Sequence, residues 1–420
     1  MQPHDARADF EGTPTRRLLK VVDGLAFARG DASPEQCAWL ASSPESVVPD
    51  LPWGAVLSGP GQSSGSADRP SDDRPSEKRP DIRTDIAGSD TGRNENPGVT
   101  HVRLAHAAAA AGDIVELLPE RARIRTRYRR GANANTLFAT ERCNSYCLMC
   151  SQPPRQVADD WRVQDMRDVI ALLDRDTPEL GISGGEPTLL GDGLVEVLRA
   201  CRDRLPATPI HVLSNGRLFG KTGLASAIAT LKHPHLTWGV PLYADVASVH
   251  DYVVQSAGAF DEAVRGLLVM ASKGLSIEIR VVLTVPTVAR LPALAEFIYR
   301  HVPSAVHVAF MGLEPIGFAL ANRDALWVDP EDMTAPLTRA VHHLANRGMA
   351  VSLYNLALCV LPAELRPFAR RSISDWKQRY LDSCAGCAAR GACGGFFEWV
   401  KPGWLPHGIR PLQETEVTEA

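Results

Sequence analysis

Residues 137–150 read Leu137-Phe138-Ala139-Thr140-Glu141-Arg142-Cys143-Asn144-Ser145-Tyr146-Cys147-Leu148-Met149-Cys150. A short strand-like run leads straight into three cysteines spaced C-x3-C-x2-C. The chain around this stretch decides the fold. From Asn135 onward, β-rich runs alternate with amphipathic stretches of helical period. Strands are predicted over 136–140, 179–183, 210–214, 236–243, 277–285 and 305–311. Helices are predicted over 163–174, 194–204, 224–231, 259–273, 291–301 and 333–346. Such alternation means βα units on a parallel sheet. Six units are too few to close an eight-stranded barrel, so a doubly wound sheet and an open, partial barrel both fit. Either one places the active site at the carboxyl ends of the strands, and the cysteine loop follows the first of them. After about residue 348 the alternation stops.

Upstream the character differs. Residues 58–98 are mostly Ser, Gly, Pro, Asp, Arg and Glu, with Ile82 and Ile86 the only branched aliphatic residues. Such a segment buries too little apolar surface to offset its ordering entropy, so it is predicted to be a disordered insertion in an N-terminal β-containing domain (1–133). Within that domain 113–118 and 122–128 read as a strand pair joined at Pro119-Glu120. The 420 residues are 45% hydrophobic and 22% charged, with a formal charge of −4. That is ordinary for a globular chain and a poor basis for nucleic-acid binding, which needs clustered Lys and Arg. No run approaches a membrane span, and the N-terminus lacks the regions of a secretory signal, so the cytoplasm is expected. Nine cysteines in such a chain need a reason other than disulfides.

Cys143, Cys147 and Cys150 can hold three corners of an iron–sulfur cubane, whose full ligation needs four. The bland alternative is zinc, but structural zinc wants a fourth Cys or His, and no histidine lies between His106 and His211. Downstream, Gly184-Gly185-Glu186-Pro187 closes the second predicted strand. Two glycines let a ligand approach the backbone, and Glu186 offers a carboxylate to an ammonium group. Alone, this would be an ordinary strand-to-helix turn.

Together, the C-x3-C-x2-C loop and the Gly-Gly-Glu-Pro turn resemble the radical S-adenosylmethionine enzymes. The resemblance implies a partial (β/α)6 TIM barrel over 134–348 that holds a [4Fe–4S] cluster. It implies that the open iron chelates S-adenosylmethionine, whose one-electron cleavage gives a 5′-deoxyadenosyl radical. Cys143, Cys147 and Cys150 would ligate iron, and Gly184, Gly185, Glu186 and Pro187 would cradle the methionine amino group. Met149 stands where the family usually has an aromatic residue near the adenine; methionine is flexible enough to fill that role. Ser214 and Asn215 end the third strand where the family contacts cofactor, although turn chemistry before Gly216 explains them equally. Arg280, if it points into the barrel, needs an anion, and the cofactor carboxylate is one. Glu314 could face substrate. Tyr243, His250 and Asp251 read as structural.

Cys384, Cys387 and Cys393 form C-x2-C-x5-C, and Cys359 completes a set of four thiolates. Zinc is a real alternative for such a set. The spacing resembles the SPASM and twitch auxiliary-cluster extensions of radical S-adenosylmethionine peptide maturases (349–405, then a tail over 406–420). Phe397 stands where SPASM would have another cysteine, so one auxiliary iron–sulfur cluster fits better than two. Cys37 and Cys201 read as structural.

The nearest resemblance is to the C-type radical maturase of the His-Xaa-Ser peptide-modification system. It rests on Leu137–Asn144, on the Ser151-Gln152-Pro153-Pro154-Arg155 run, on Met311–Pro315 and on Ser374–Lys377. It implies a peptide or protein precursor as substrate, a flavodoxin or ferredoxin as reductant and a partner maturase. The N-terminal domain would recognise the precursor by adding a strand to a sheet edge. Two rivals remain: a small-molecule radical enzyme such as a molybdopterin-precursor cyclase, and a zinc-binding scaffold without catalysis. The cyclases end in Gly-Gly, whereas this chain ends in Thr418-Glu419-Ala420.

Overall fold

A computed structural model describes residues 4–11, 17–22, 37–41, 55–58, 100–104, 109–118, 121–132 and 134–418. The chain separates into two compact units between Arg127 and Tyr128.

The first unit is a barrel of seven strands: β1 (His4–Glu11), β2 (Arg17–Val22), β3 (Cys37–Ala41), β4 (Ala55–Ser58), β5 (Thr100–Leu104), β6 (Ile114–Leu118) and β7 (Arg123–Tyr128). They close in the order β1-β5-β4-β3-β2-β6-β7. The expected pair is present as β6 and β7. The free edge expected for a precursor is absent among these strands, because β1 pairs with β7 (Ala6 opposite Ile124) and with β5. Full closure is the one arrangement that removes edges altogether. The mostly polar sequence of β1 gave no sign of this pairing. Leu19, Val21, Ala38, Leu57, Val115, Leu117 and Ile124 form the core. The predicted junction at Pro119-Glu120 and the predicted disorder over 58–98 lie outside the described residues, except Ser58, which ends β4.

In the second unit β8 (Thr136–Phe138), α1 (Arg162–Leu172), β9 (Leu180–Ser183), α2 (Asp192–Arg204), β10 (Ile210–Leu213) and α3 (Leu224–Leu231) come first. They are followed by β11 (Leu236–Pro241), α4 (Ala247–Val254), α5 (Ala259–Ser272), β12 (Ser276–Val282), α6 (Leu291–His301), β13 (His307–Met311), α7 (Pro330–Ala345) and β14 (Val351–Tyr354). The seven strands are parallel and lie in chain order, β14 to β8, without closing. A doubly wound sheet would reverse its order at a switch point. This order never reverses, so the crossovers share one hand and the sheet curls into an open, partial barrel. It carries one strand more than the sequence pattern: β14 extends the alternation past residue 348.

Local chemistry explains the elements. In α5, Ala259, Ala263, Gly266, Leu267 and Met270 are buried on one stripe, and Asp261 and Glu262 sit at the positive end of the helix dipole. The Asp329 carboxylate caps α7 by accepting from the Glu331 N–H at 3.0 Å. In β12, Ile277, Ile279 and Val281 are fully buried beneath the helices, while Glu278 and Arg280 line the interior cavity. Beyond the barrel, β15 (Gln378–Arg379) and β16 (Phe396–Phe397) form a small antiparallel pair. No helix among the described residues is long and apolar enough to cross a membrane.

Candidate functional site

The cysteine loop springs from the carboxyl end of β8 and is fastened on every side. At its base, buried Asp159 accepts from the Thr140 hydroxyl at 2.9 Å and from the Glu141 N–H at 2.6 Å, and it pairs with Arg142 at 2.9 Å. Along the loop, the N–H groups of Tyr146 and Leu148 donate to the carbonyls of Val254 and Val253, the end of α4. Asn322 Nδ2 donates to the Leu148 carbonyl, and the Phe318 N–H to that of Cys150, both at 2.9 Å. Arg217 reaches the Asn144 carbonyl and Ser145 Oγ, and is itself held by Glu262 at 2.7 Å.

Gly184 and Gly185 serve this loop. Gly185 N–H donates to Thr140 O at 2.7 Å and Glu186 N–H to Arg142 O at 2.8 Å. A Cβ on Gly185 would lie 2.1 Å from the Arg142 carbonyl oxygen, and one on Gly184 (φ 149°) 2.6 Å from that of Thr140. The glycines therefore let two stretches of backbone approach each other, where the sequence reading had a ligand in mind. Glu186 also serves the fold. Its buried carboxylate accepts from Thr188 N–H (3.0 Å), Thr188 Oγ1 (2.5 Å), Ser214 Oγ (2.7 Å) and Asn215 N–H (2.6 Å). Three of these donors meet Oε1 and one meets Oε2, and the carboxylate knots the end of β9 to the end of β10. Pro187 opens the short turn that follows. Ser214 is taken up by Glu186, and Asn215 donates to Asn144 Oδ1 at 2.6 Å, so both brace the cysteine loop.

The three thiols are half-buried and close enough to raise one another. Burial pushes Cys143 up to about 11, with the Glu186 charge adding to it. Burial and the neighbouring Cys150 and Cys143 push Cys147 up to about 12. Burial raises Cys150 as well. Such thiols become thiolates at neutral pH only beside a strong positive centre, which is what an iron–sulfur core provides. Met149 is buried with Tyr243, Val253, Leu313 and Trp404. Tyr243 is raised by burial, and its N–H donates to His250 Nδ1 at 3.2 Å. Asp251 receives the N–H groups of Gly258 and Phe260 at the start of α5.

Arg280 does face the barrel interior, but the chain itself supplies an anion: Nη1 donates to Glu278 at 2.6 Å. Glu314 forms an ion pair with Lys377 at 3.4 Å, and Lys377 lies over the rings of Trp376 and Phe397.

Cys359, Cys384, Cys387 and Cys393 all line one small cavity, together with Tyr380, Phe396, Arg410 and Leu412. Backbone N–H groups of Leu358 and Gly395 donate to Cys393 Sγ, and that of Leu412 to Cys387 Sγ, each at 3.4 Å. Four thiols around one cavity, two of them receiving backbone N–H groups, suit an iron–sulfur cluster. Among the described residues, only Asp329, Glu331 and His407 bring three metal-binding atoms within 4.8 Å of one another. In neither cysteine set do three sulfurs lie within 4.8 Å of one another.

Asp159, Arg217 and Asn322 escaped the sequence reading. Their signal is tertiary: each reaches the loop from a different element.

The family profile described as Radical SAM superfamily matches residues 137–298. Solved structures that match include SuiB of Streptococcus suis bound to S-adenosylmethionine (16% identity, TM-score 0.41, covering 52% of this chain and 49% of that one). Others are anSMEcpe with bound AdoMet and Cp18Cys peptide (16%, 0.41, 52% and 62%) and coproporphyrinogen III oxidase HemN from Escherichia coli (12%, 0.39, 51% and 52%). The chain spans less than two thirds of the length of each. No curated protein matches it. With the parallel strands in chain order and the three-cysteine loop at the end of the first, residues 137–298 of this chain are a radical SAM domain.

Proposed function

We propose that the protein is a radical S-adenosylmethionine enzyme that modifies a peptide of the His-Xaa-Ser type. The observation that carries the enzymatic part is the cysteine loop: three half-buried thiols, each raised by burial, fixed at the carboxyl mouth of an open barrel. When bound, a [4Fe–4S] cluster and S-adenosylmethionine supply a 5′-deoxyadenosyl radical by one-electron cleavage of the sulfonium.

The chain's own part is to hold and to exclude. Cys143, Cys147 and Cys150 would give three ligands to the cluster. The ends of β9 and β10, knotted by Glu186, shape the neighbouring wall, and Met149 with its apolar neighbours keeps water from one side of the loop. Arg280 is the cation at hand for the cofactor carboxylate, in competition with Glu278. Cys359, Cys384, Cys387 and Cys393 would hold an auxiliary cluster.

The peptide rests on the Ser151–Arg155 run and on Ser374–Lys377. Ser374 and Asp375 line the interior cavity of about 920 Å³, which has room for a side chain and its flanking backbone. A low-potential electron donor, a flavodoxin or ferredoxin, completes the set of partners.

Anaerobic reconstitution with iron and sulfide, followed by reductant and S-adenosylmethionine, tests the reading. Wild type should release 5′-deoxyadenosine, and Cys143→Ala should release none. Zinc bound in place of iron would favour the scaffold. Incubation with a synthetic peptide of His-Xaa-Ser repeats should change the peptide mass; an unchanged mass beside vigorous cofactor cleavage removes the peptide and keeps the radical chemistry.

A further inference from the structure

Away from the cysteine loop, a dense group of titratable side chains sits on the inner face of the sheet. Glu278 on β12 is 6% exposed, and three basic side chains meet its carboxylate: Arg280 Nη1 at 2.6 Å, His307 Nδ1 at 2.8 Å and His211 Nε2 at 3.5 Å. His307 Nε2 lies 2.9 Å from Ser352 Oγ on β14. With Glu278 ionised, Nδ1–H of His307 donates to it, and Nε2 shares a hydrogen bond with the Ser352 hydroxyl. Burying charges in this way seldom stabilises a fold relative to apolar packing, and such clusters in a cavity point to function. His211 is the member left unfinished. Its buried Nε2 has no hydrogen-bond partner, and its ring lines the cavity of about 920 Å³ beside Leu213, Thr237 and Arg280. A buried polar atom left in this way calls for an explanation.

We propose that His211 accepts a proton from the substrate while it is modified in this cavity, and that Glu278, anchored by Arg280 and His307, stabilises the imidazolium that results. This rests on the radical-enzyme reading given above. In the step, an O–H, N–H or S–H bond of the substrate breaks and an N–H bond forms on the imidazole. One proton moves and no electron does.

The surroundings suit the task. Burial lowers His211, with Arg280 and His307 adding to the effect and Glu278 opposing it, so the ring is neutral and receptive at pH 7. The groups facing it are Glu278 and Arg280 from β12 and His307 from β13; Thr237 from β11 and Ser183 from β9 are uncharged. Glu179 and His235 line the same cavity.

The test uses the anaerobically reconstituted protein with 13C-labelled histidine, the His211 signal being assigned by its loss in His211→Asn. The ring should titrate below the ordinary value of about 6.5 and fall by roughly a further unit in Glu278→Gln. A ring that never charges, or that ignores Glu278→Gln, overturns the proposal. With the His-Xaa-Ser repeat peptide as probe, His211→Asn should lower conversion about 10²–10⁴-fold and abolish the acid limb of the pH profile. Unimpaired conversion overturns the proposal. If wild type forms 5′-deoxyadenosine but converts no peptide, the peptide reading fails alone and the titration decides for His211. If wild type forms no 5′-deoxyadenosine, both fall.

Discussion

Glu186 and Glu278 are two buried carboxylates that their neighbours send in opposite directions. Burial raises Glu186, and its hydrogen bonds from Thr188, Asn215 and Ser214 do not fully compensate. Burial also acts to raise Glu278, but the His307 hydrogen bond and the charges of Arg280, His211 and His307 outweigh it and hold it at about 2. A carboxylate depressed in this way stabilises the fold above its unfolded value of about 4.3, and that contribution is lost as pH falls toward 2. Urea unfolding between about pH 5 and 2 should therefore show wild type losing more stability than Glu278→Gln across that window; parallel losses would remove this account of the pair. At this scale the sequence was legible where chemistry is local. C-x3-C-x2-C and Gly184–Pro187 announce themselves by spacing. Ser214 and Asn215, which bind Glu186, stand 28 and 29 residues from it, and His211, Glu278, His307 and Ser352 come from four separate strands. No spacing rule joins them.

The turn after β9 shows what an element asks of single residues. Gly185→Ala would thrust a Cβ to 2.1 Å from the Arg142 carbonyl oxygen, backbone that cannot yield without moving the cysteine loop. The expected result is a variant that retains far less iron at the first site after reconstitution and melts at a lower temperature. Gly223→Ala, with nothing within 4 Å, should match wild type in both assays. Elements were legible in proportion to their length and punctuation. The helices over 224–231 and 291–301 fell where their periodicity put them, the second with a proline in its first turn. β14 was missed because Val-Ser-Leu-Tyr is too short to show an alternation. α4 was missed because only His250, Val253 and Val254 of its eight residues are buried, a stripe too narrow to read.

On the scale of the whole molecule, the second cysteine set gathers thiols from 359 to 393 around one cavity. Iron analysis should give about eight irons per reconstituted chain, falling to about four in Cys384→Ala. A value already near four in wild type would mean that only one set takes iron. The alternation of strands and helices implies the sheet, but its open, unreversed order is visible only in the fold, since both architectures share one pattern. The closure of the first unit's barrel was equally hidden. That unreversed order also bears on how the protein is made. Each strand of the second unit can settle beside its predecessor as the chain leaves the ribosome. Ser352 rides on the last strand to arrive. A nascent chain stalled before residue 351 would hold its cysteine loop and an unfinished interior, with His307 still lacking the hydroxyl that completes its ring contacts.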